Sequence, residues 1–410
     1  MKNNLFWKSR VATVLLGTSL LSGIVQAVDF KWESLPTAGD ADIYYVESFS
    51  GGWSSIGGTE TTGVVYSGNE AGVDWRKAFA RQDLYPMGVA ELGGSLFFAF
   101  EGAFGSPPIL TRSGDGMQMS KLAFGEELAS SSVGSIFSAG GRLYVSISDE
   151  AGAVHIHSSS DGESWEPVDL PLQPGEIIWD AVEMGDSVVF AGGTEFESRP
   201  LLITRLADGN LVRKTPEGLG GSVISVAEAN GRVAAVGGGF DAEGNESGFV
   251  LQSSNGSDWE VVGNDFSGVV YGIASHADTF AIVGQGLLAT STDLQNWNHS
   301  PLEFGFLLFD IDDSDAGFMA MGANGVALLG TPDGSAPNVR LSTARRADSF
   351  EVSWPETGQT ASLESSASVR GPFTESRLVP RPAGPGRIAV DVPTTDPRQF
   401  FRLRLRQQIE

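Results

Sequence analysis

An all-β fold is predicted for this chain of 410 residues: a seven-bladed β-propeller closed by the mature N-terminal strand, followed by a small β-sandwich. Three observations carry the prediction. A short turn phrase returns seven times at a nearly fixed step. An apolar hairpin lies upstream of each copy. The last copy lacks a final strand, and a strand of the right kind stands alone near the N-terminus.

The phrase is clearest as Ser159-Ser160-Asp161-Gly162-Glu163-Ser164-Trp165, and it returns as Ser253-Ser254-Asn255-Gly256-Ser257-Asp258-Trp259 and Ser291-Thr292-Asp293-Leu294-Gln295-Asn296-Trp297. Weaker copies run from Ser67 to Trp75, Ser113 to Met119, Leu206 to Val212 and Thr331 to Gly334. Between the Asp or Asn positions 69, 115, 161, 208, 255, 293 and 333 the steps are 46, 46, 47, 47, 38 and 40, a blade length. The Asp or Asn side chain can accept N–H bonds from two or three residues on, and Gly supplies a positive φ. The tryptophan is expected to fill space between neighbouring sheets. These are scaffold roles.

The hairpins are Tyr45 to Ile56, Val89 to Phe100, Ile136 to Val145, Asp180 to Phe190, Val226 to Val236, Ile273 to Val283 and Ile311 to Met321. Each shows two apolar strands around a tight turn, the pattern of an inner hairpin. A third strand enters the Asp turn, as in Phe249-Val250-Leu251-Gln252, and a fourth leaves from the tryptophan, as in Trp259-Glu260-Val261-Val262. The seventh unit has no fourth strand. Phe30-Lys31-Trp32-Glu33-Ser34-Leu35-Pro36 resembles Trp165-Glu166-Pro167-Val168-Asp169-Leu170-Pro171 but has no hairpin before it, so it is predicted to close the ring from the other end.

After Pro337 the repeat stops. Ser349 to Trp354, Ala361 to Ser366, Arg387 to Val392 and Gln399 to Leu405 alternate between Pro and Gly clusters, as in a small immunoglobulin-like or fibronectin-III-like sandwich. At the other end, Lys2, Lys8 and Arg10 precede the apolar run Val11 to Val25, and Val25-Gln26-Ala27 offers a cleavage site before Val28. The competing reading is an uncleaved anchor, but Gly, Ser, Thr and Gln interrupt the run. The expected plan is a signal peptide at 1–27, a propeller at 28–337 and a sandwich at 338–410. The mature chain is then secreted, periplasmic or at the cell surface, with no membrane span.

There are no cysteines, so the fold must rest on its core rather than on disulfides. The net charge is -25. Residues 28–337 hold 12 Lys and Arg against 43 Asp and Glu, whereas 338–410 hold 11 against eight. Such an acidic body repels phosphate backbones, which excludes nucleic acid as a partner. It suits solubility, cations or basic partners.

The phrase Ser-x-Asp-Gly-x-x-Trp resembles the Asp box, or BNR repeat, of sialidase-type and related secreted β-propellers, over residues 28–337. The usual box has one more residue between Asp and Trp. The resemblance implies export and allows a carbohydrate-active hydrolase or lyase. A sialidase needs an arginine cluster, a Tyr nucleophile paired with Glu and an Asp acid/base. The propeller region holds only eight arginines, at 76, 81, 112, 142, 199, 205, 213 and 232, and no Arg-Ile-Pro phrase. Leu363-Glu364-Ser365-Ser366 and Gln399-Phe400-Phe401-Arg402-Leu403 are similar to a C-terminal module attached to many large exported bacterial proteins.

Function on a repeat scaffold sits in loops. The longest second-to-third-strand loops are expected at Gly193 to Pro200 and Gly237 to Gly248. They carry Glu195, Phe196, Glu197, Arg199, Phe240, Asp241, Glu243 and Asn245, with Trp179 in the preceding blade-to-blade loop. Together these form a raised acidic rim, the expected ligand site. His155-Ile156-His157 could chelate zinc but reads better as a solvent-exposed strand. Asp310-Ile311-Asp312-Asp313-Ser314-Asp315 has a calcium-loop look but aligns as the seventh hairpin turn. No cofactor and no metal is expected, and the chain is expected to be a monomer. The expected role is non-catalytic recognition or scaffolding toward a glycan or a surface protein, with the hydrolase or lyase as the alternative.

Overall fold

The computed structural model describes residues 30–332 apart from 37–38, 60–61, 104–105, 123–131, 150, 195–198, 241–243, 245 and 303–305, together with strand segments between 342 and 406. The predicted signal peptide and the Asp333-Gly334 half of the seventh turn lie outside the described residues.

Seven four-stranded antiparallel sheets follow one another along the chain. Blade 1 runs outward from the axis as Asp42–Phe49, Gly52–Thr59, Thr62–Gly68 and Arg76–Gln82. The inner strands of blades 2 to 7 are Leu84–Leu92, Ser132–Ala139, Glu176–Met184, Ser222–Ala229, Val270–His276 and Leu308–Ser314. Each inner strand packs on its two neighbours, and the last packs on the first, so the ring closes. In blade 7 the outermost strand is Phe30–Ser34, antiparallel to Ala327–Pro332 with Trp32 opposite Gly330. The predicted closure is the one the chain adopts.

The core is divided into seven apolar clusters, one in each gap between blades. Side chains alternate along every strand, so each sheet buries both faces against a neighbour. In the gap between blades 2 and 3, Phe97, Ala99 and Leu110 meet Val133, Leu143 and Val145, with Trp165 packed at the side. Trp259, Trp297, Trp32 and Trp75 occupy the same place in the gaps 4/5, 5/6, 6/7 and 7/1. The tryptophans therefore do fill inter-sheet space.

The turns before them are held by side-chain acceptors. Asp161 Oδ1 accepts the N–H groups of Glu163 and Ser164, both at 2.8 Å, and Ser159 Oγ accepts that of Gly162 at 2.8 Å. The set recurs at Ser253/Asn255 and Ser291/Asp293. The N–H groups of Ser164 and Glu163 pull the Asp161 carboxyl down to about 2. At Asp293 burial pushes upward, but the bonds from Asn296 and Gln295 outweigh it and the value is again about 2.

One position in the phrase is set by the neighbouring blade. Gly162 has φ +77° and a Cβ there would stand 2.0 Å from the Phe97 ring. In blade 6 the same position is Leu294, also at positive φ (65°) yet fully buried. The residue of blade 5 that corresponds to Phe97 is Ala234, and Ala234 shares an apolar cluster with Leu294. A large side chain on one blade thus meets a small one on the next, keeping the gap close-packed. Leu294→Ala is expected to lower stability by about 2–5 kcal/mol through the cavity it leaves. Gly162→Leu should cost about 3 kcal/mol or more, from overpacking plus a left-handed backbone. Thermal melts of both variants within a degree of the parent chain would refute this size matching.

Strands between 342 and 406 form two further sheets. One orders Ser342–Arg345, Ser349–Pro355, Arg387–Pro393 and Arg381–Pro382; the other orders Thr374–Glu375, Thr360–Ser366 and Phe400–Arg406.

Candidate functional site

Every inner strand carries a β-bulge near its start. The extra residue is Tyr44, Met87, Gly134, Trp179, Ile224, Tyr271 and Phe309 in blades 1 to 7. A bulge leaves one residue out of the pairing and re-aims its side chain. Tyr44, Trp179, Ile224, Tyr271 and Phe309 accordingly line a central cavity of about 660 Å³, joined by Tyr85 of blade 2. Tyr44 and Tyr271 flank Phe309 with ring centroids 5.1 and 5.8 Å away. Tyr85 and Tyr44 stay 44% and 37% exposed, so the collar presents aromatic surface to solvent. Strand direction puts this mouth on the face of the second-to-third-strand loops, opposite the Asp turns.

Carboxylates stand in the wall beside the collar. An inner strand has no sheet partner toward the axis, so its outward N–H groups need other acceptors. Asp310 Oδ2 accepts the N–H of Val46 across the gap to blade 1 at 2.9 Å, while Oδ1 accepts that of Ile311 at 2.9 Å. Asp180 repeats the arrangement toward blade 5, with Val226 at 3.0 Å, Ser225 Oγ at 3.1 Å and Ala181 at 2.7 Å. Asp312 Oδ2 accepts the Ser48 N–H at 2.6 Å. Both Asp180 and Asp310 are the residue directly after a bulge.

Their electrostatics follow from enclosure. Burial raises the Asp180 carboxyl to about 6 against the bonds it accepts, and raises Asp310 well above the ordinary carboxylate range. Burial and then the charge of Asp313 raise Asp312. Glu47 is pushed well up by burial, then by Asp312, Asp310 and Glu91. Burial lifts Tyr45 to about 12, helped by Asp310. Among the described residues no Lys, Arg or His lines the cavity.

The rim predicted from sequence is placed only in part. Glu195, Glu197, Asp241 and Glu243, with Phe196 and Asn245, lie outside the described residues. Trp179 is not in a blade-to-blade loop: it is the bulged residue of Glu176–Met184 and belongs to the channel mouth. Phe240 ends strand Arg232–Phe240, paired with Glu246 and 60% exposed, so its loop is shorter than expected. The connections at 103–108 and 149–153, in blades 2 and 3, are as long in residues as those at 195–199 and 241–245 in blades 4 and 5. The Arg199 N–H bonds Thr194 Oγ1 at 3.0 Å. Burial pushes Glu176 upward, but the hydrogen bond from Arg213, whose Nη1 lies 2.7 Å away, and that from the Gln173 N–H outweigh it and lower the carboxyl, with the charge of Arg199 a lesser contribution.

Two other motifs resolve differently from their first appearance. Asp310 to Ser314 is the inner strand itself, and only Asp315-Ala316 make the turn; the alternation sends Asp310 and Asp312 toward blade 1. His155 is about half exposed, as a surface strand predicts, and its Nε2 lies 3.2 Å from Asp149. Among the described residues no three His, Cys, Asp or Glu side chains are grouped to hold a metal ion. The apolar alternation marks each hairpin only from one or two residues after its bulge, which leaves the bulged side chains out of the strand. The available signal was a Tyr, Trp or Phe just before the apolar alternation in four of the seven units.

No protein-family model and no curated protein matches the chain. Solved structures do. A virginiamycin B lyase from Staphylococcus aureus is similar at TM-score 0.52 and 10% identity, covering 74% of this chain and 99% of that one. A streptogramin B lyase gives 0.53 and 11%, with 73% and 97% covered, and the WD40 repeats of RRP9 give 0.51 and 11%, with 75% and 99% covered. At such identities the likeness establishes the propeller fold and nothing finer. No helix among the described residues is long and apolar enough to cross a membrane.

Proposed function

We propose that this chain is an exported, non-catalytic recognition propeller that binds an extracellular or surface ligand, a glycan or a surface protein, at the mouth of its channel. The observation that carries the reading is the collar of bulged aromatic residues around an open cavity. Aromatic faces held by a rigid scaffold are a common basis of ligand binding. Against the hydrolase or lyase reading, Asp180, Asp310 and Asp312 already accept backbone N–H bonds that tie blade to blade. A glycosidase needs two carboxyl groups free to face the scissile bond.

Export rests on the N-terminal pattern at 1–27, and the division at 337/338 on the end of the repeat. The side-chain bonds within the turns support the Asp-box reading. The two sheets of 342–406 support an immunoglobulin-like or fibronectin-III-like module at 338–410.

The test is a glycan array and a panel of surface-protein extracts probed with the purified mature chain and its Trp179→Ala variant, followed by the same glycans assayed for cleavage. Binding that Trp179→Ala reduces tenfold or more, with every glycan intact, is expected. Turnover of any glycan would establish the enzyme reading instead.

A further inference from the structure

We infer that the channel mouth takes a cation, the lysine or arginine side chain of a peptide segment on a partner protein, seated within the aromatic collar and directed at Glu47. This rests on the proposal that the mouth is the ligand site, and it names the chemistry of what enters.

Three properties of the cavity converge on that ligand. Its wall is acidic: Glu47, Asp180, Asp310 and Asp312 line it, and among the described residues no Lys, Arg or His does. Its entrance is aromatic, and ring faces attract alkylammonium and guanidinium groups while shielding them from water. Its volume, about 660 Å³, admits a long side chain with part of its backbone. An anion would meet four carboxyl groups with no counter-charge. A neutral sugar could stack on the rings but would leave the enclosed carboxyl groups holding their protons, whereas a cation supplies the counter-charge that lets them ionise.

The four acids are not equivalent. Asp180, Asp310 and Asp312 are engaged by the N–H groups of Val226, Val46 and Ser48. Glu47 is held chiefly by burial among like charges, with a bond from the Glu91 backbone as the opposing influence. Glu47 lines the cavity together with Asp310 and Asp312, whose charges act on it, so a cation arriving from the mouth relieves that repulsion. Tyr44 and Phe309, with ring centroids 5.1 Å apart, stand one on each side of the joint between blades 1 and 7, the blades that carry Glu47 and its neighbours Asp310 and Asp312.

The experiment measures binding of fluorescent pentapeptides with a central arginine, lysine, citrulline or norleucine between glycines, on the mature chain and on Glu47→Gln and Trp179→Ala. Glu47→Gln keeps the shape and removes the charge, and a melting curve for each variant confirms that it is folded. The expected result is binding of the arginine and lysine peptides only, weakened at least tenfold in Glu47→Gln and in Trp179→Ala. Equal binding of the citrulline or norleucine peptide, or no change in Glu47→Gln while Trp179→Ala still weakens it, overturns the cation and leaves the mouth as the ligand site. Binding indifferent to Trp179→Ala overturns both. Failure of every peptide overturns the cation, and the glycan and extract panels then decide the mouth by themselves.

Discussion

Removing residues 28–36 is expected to lower the melting temperature by about 10–20 °C, at roughly 2–4 °C for each kcal/mol lost. The strand Phe30–Ser34 is the outer edge of blade 7, and its whole register is with Ala327–Pro332. Leu35 extends the pairing through its N–H to Ala327 at 3.0 Å. Phe30 lies 4.8 Å and Trp32 6.2 Å from the Phe318 ring, and both pack on the cluster between blades 6 and 7. Losing two partly buried aromatic side chains and a row of strand bonds amounts to about 5 kcal/mol. That is a large part of the 5–15 kcal/mol typical of a folded domain. The deletion also leaves Ala327–Pro332 as a bare edge, so the truncated chain should associate at high concentration. Differential scanning calorimetry beside a Lys31→Ala control, whose side chain is exposed, reads the effect. A truncated chain melting with the parent would show that the ring does not depend on this strand.

Stability is expected to fall as pH rises from about 5 to 8. Asp180, at about 6, and Asp310, Asp312 and Glu47, also raised, hold protons more tightly folded than unfolded. The unfolded carboxylates have lost theirs by about pH 5, so over the window up to the raised values the folded state alone must give protons up. Stability therefore declines through that window and levels off above it. At the acid end the sign reverses. Asp161 and Asp293, both at about 2, contribute stability present above about pH 4 and lost as pH falls toward their folded values. The optimum should lie near pH 4–5. Among the described residues the titratable groups facing the cluster include Glu91 from blade 2, Asp313 on the same strand as Asp312, and His276 of blade 6, which lies 3.7 Å from Asp313. A drop of several degrees between pH 5 and 8, reduced in Asp180→Asn, is the expected series of melts. A parent curve flat over that range, or steeper in Asp180→Asn, would falsify the assignment.

Much of the architecture could be read from the residues in order. The blade count came from the spacing of Asp161, Asn255, Asp293 and their weaker relatives, and the closure from a tryptophan strand at 30–36 with no hairpin of its own. The sequence places the inner hairpins but starts each one or two residues after its bulge, because the bulge interrupts the two-residue alternation that marks a strand. Trp179 falls in a blade-to-blade loop by sequence because the apolar alternation begins only at Asp180, after the bulge. Asp310 and Asp312 align by sequence with a hairpin turn, whereas in the fold they sit in the inner strand and accept N–H groups from the unpaired strand edge of blade 1, a partner that only the closed ring supplies.

The sequence by itself determined the number of sheets, the turns between their strands and the pairing of the two ends of the ring. Each of these is local or periodic, written into a phrase a few residues long and repeated. Only the tertiary structure decided the site. The collar takes one or two residues from each of several blades, and they meet because the ring brings the starts of distant inner strands to a common axis. The acidity of the channel is likewise a property of enclosure: the same carboxyl groups spread along an open chain would neither repel one another nor lose their water.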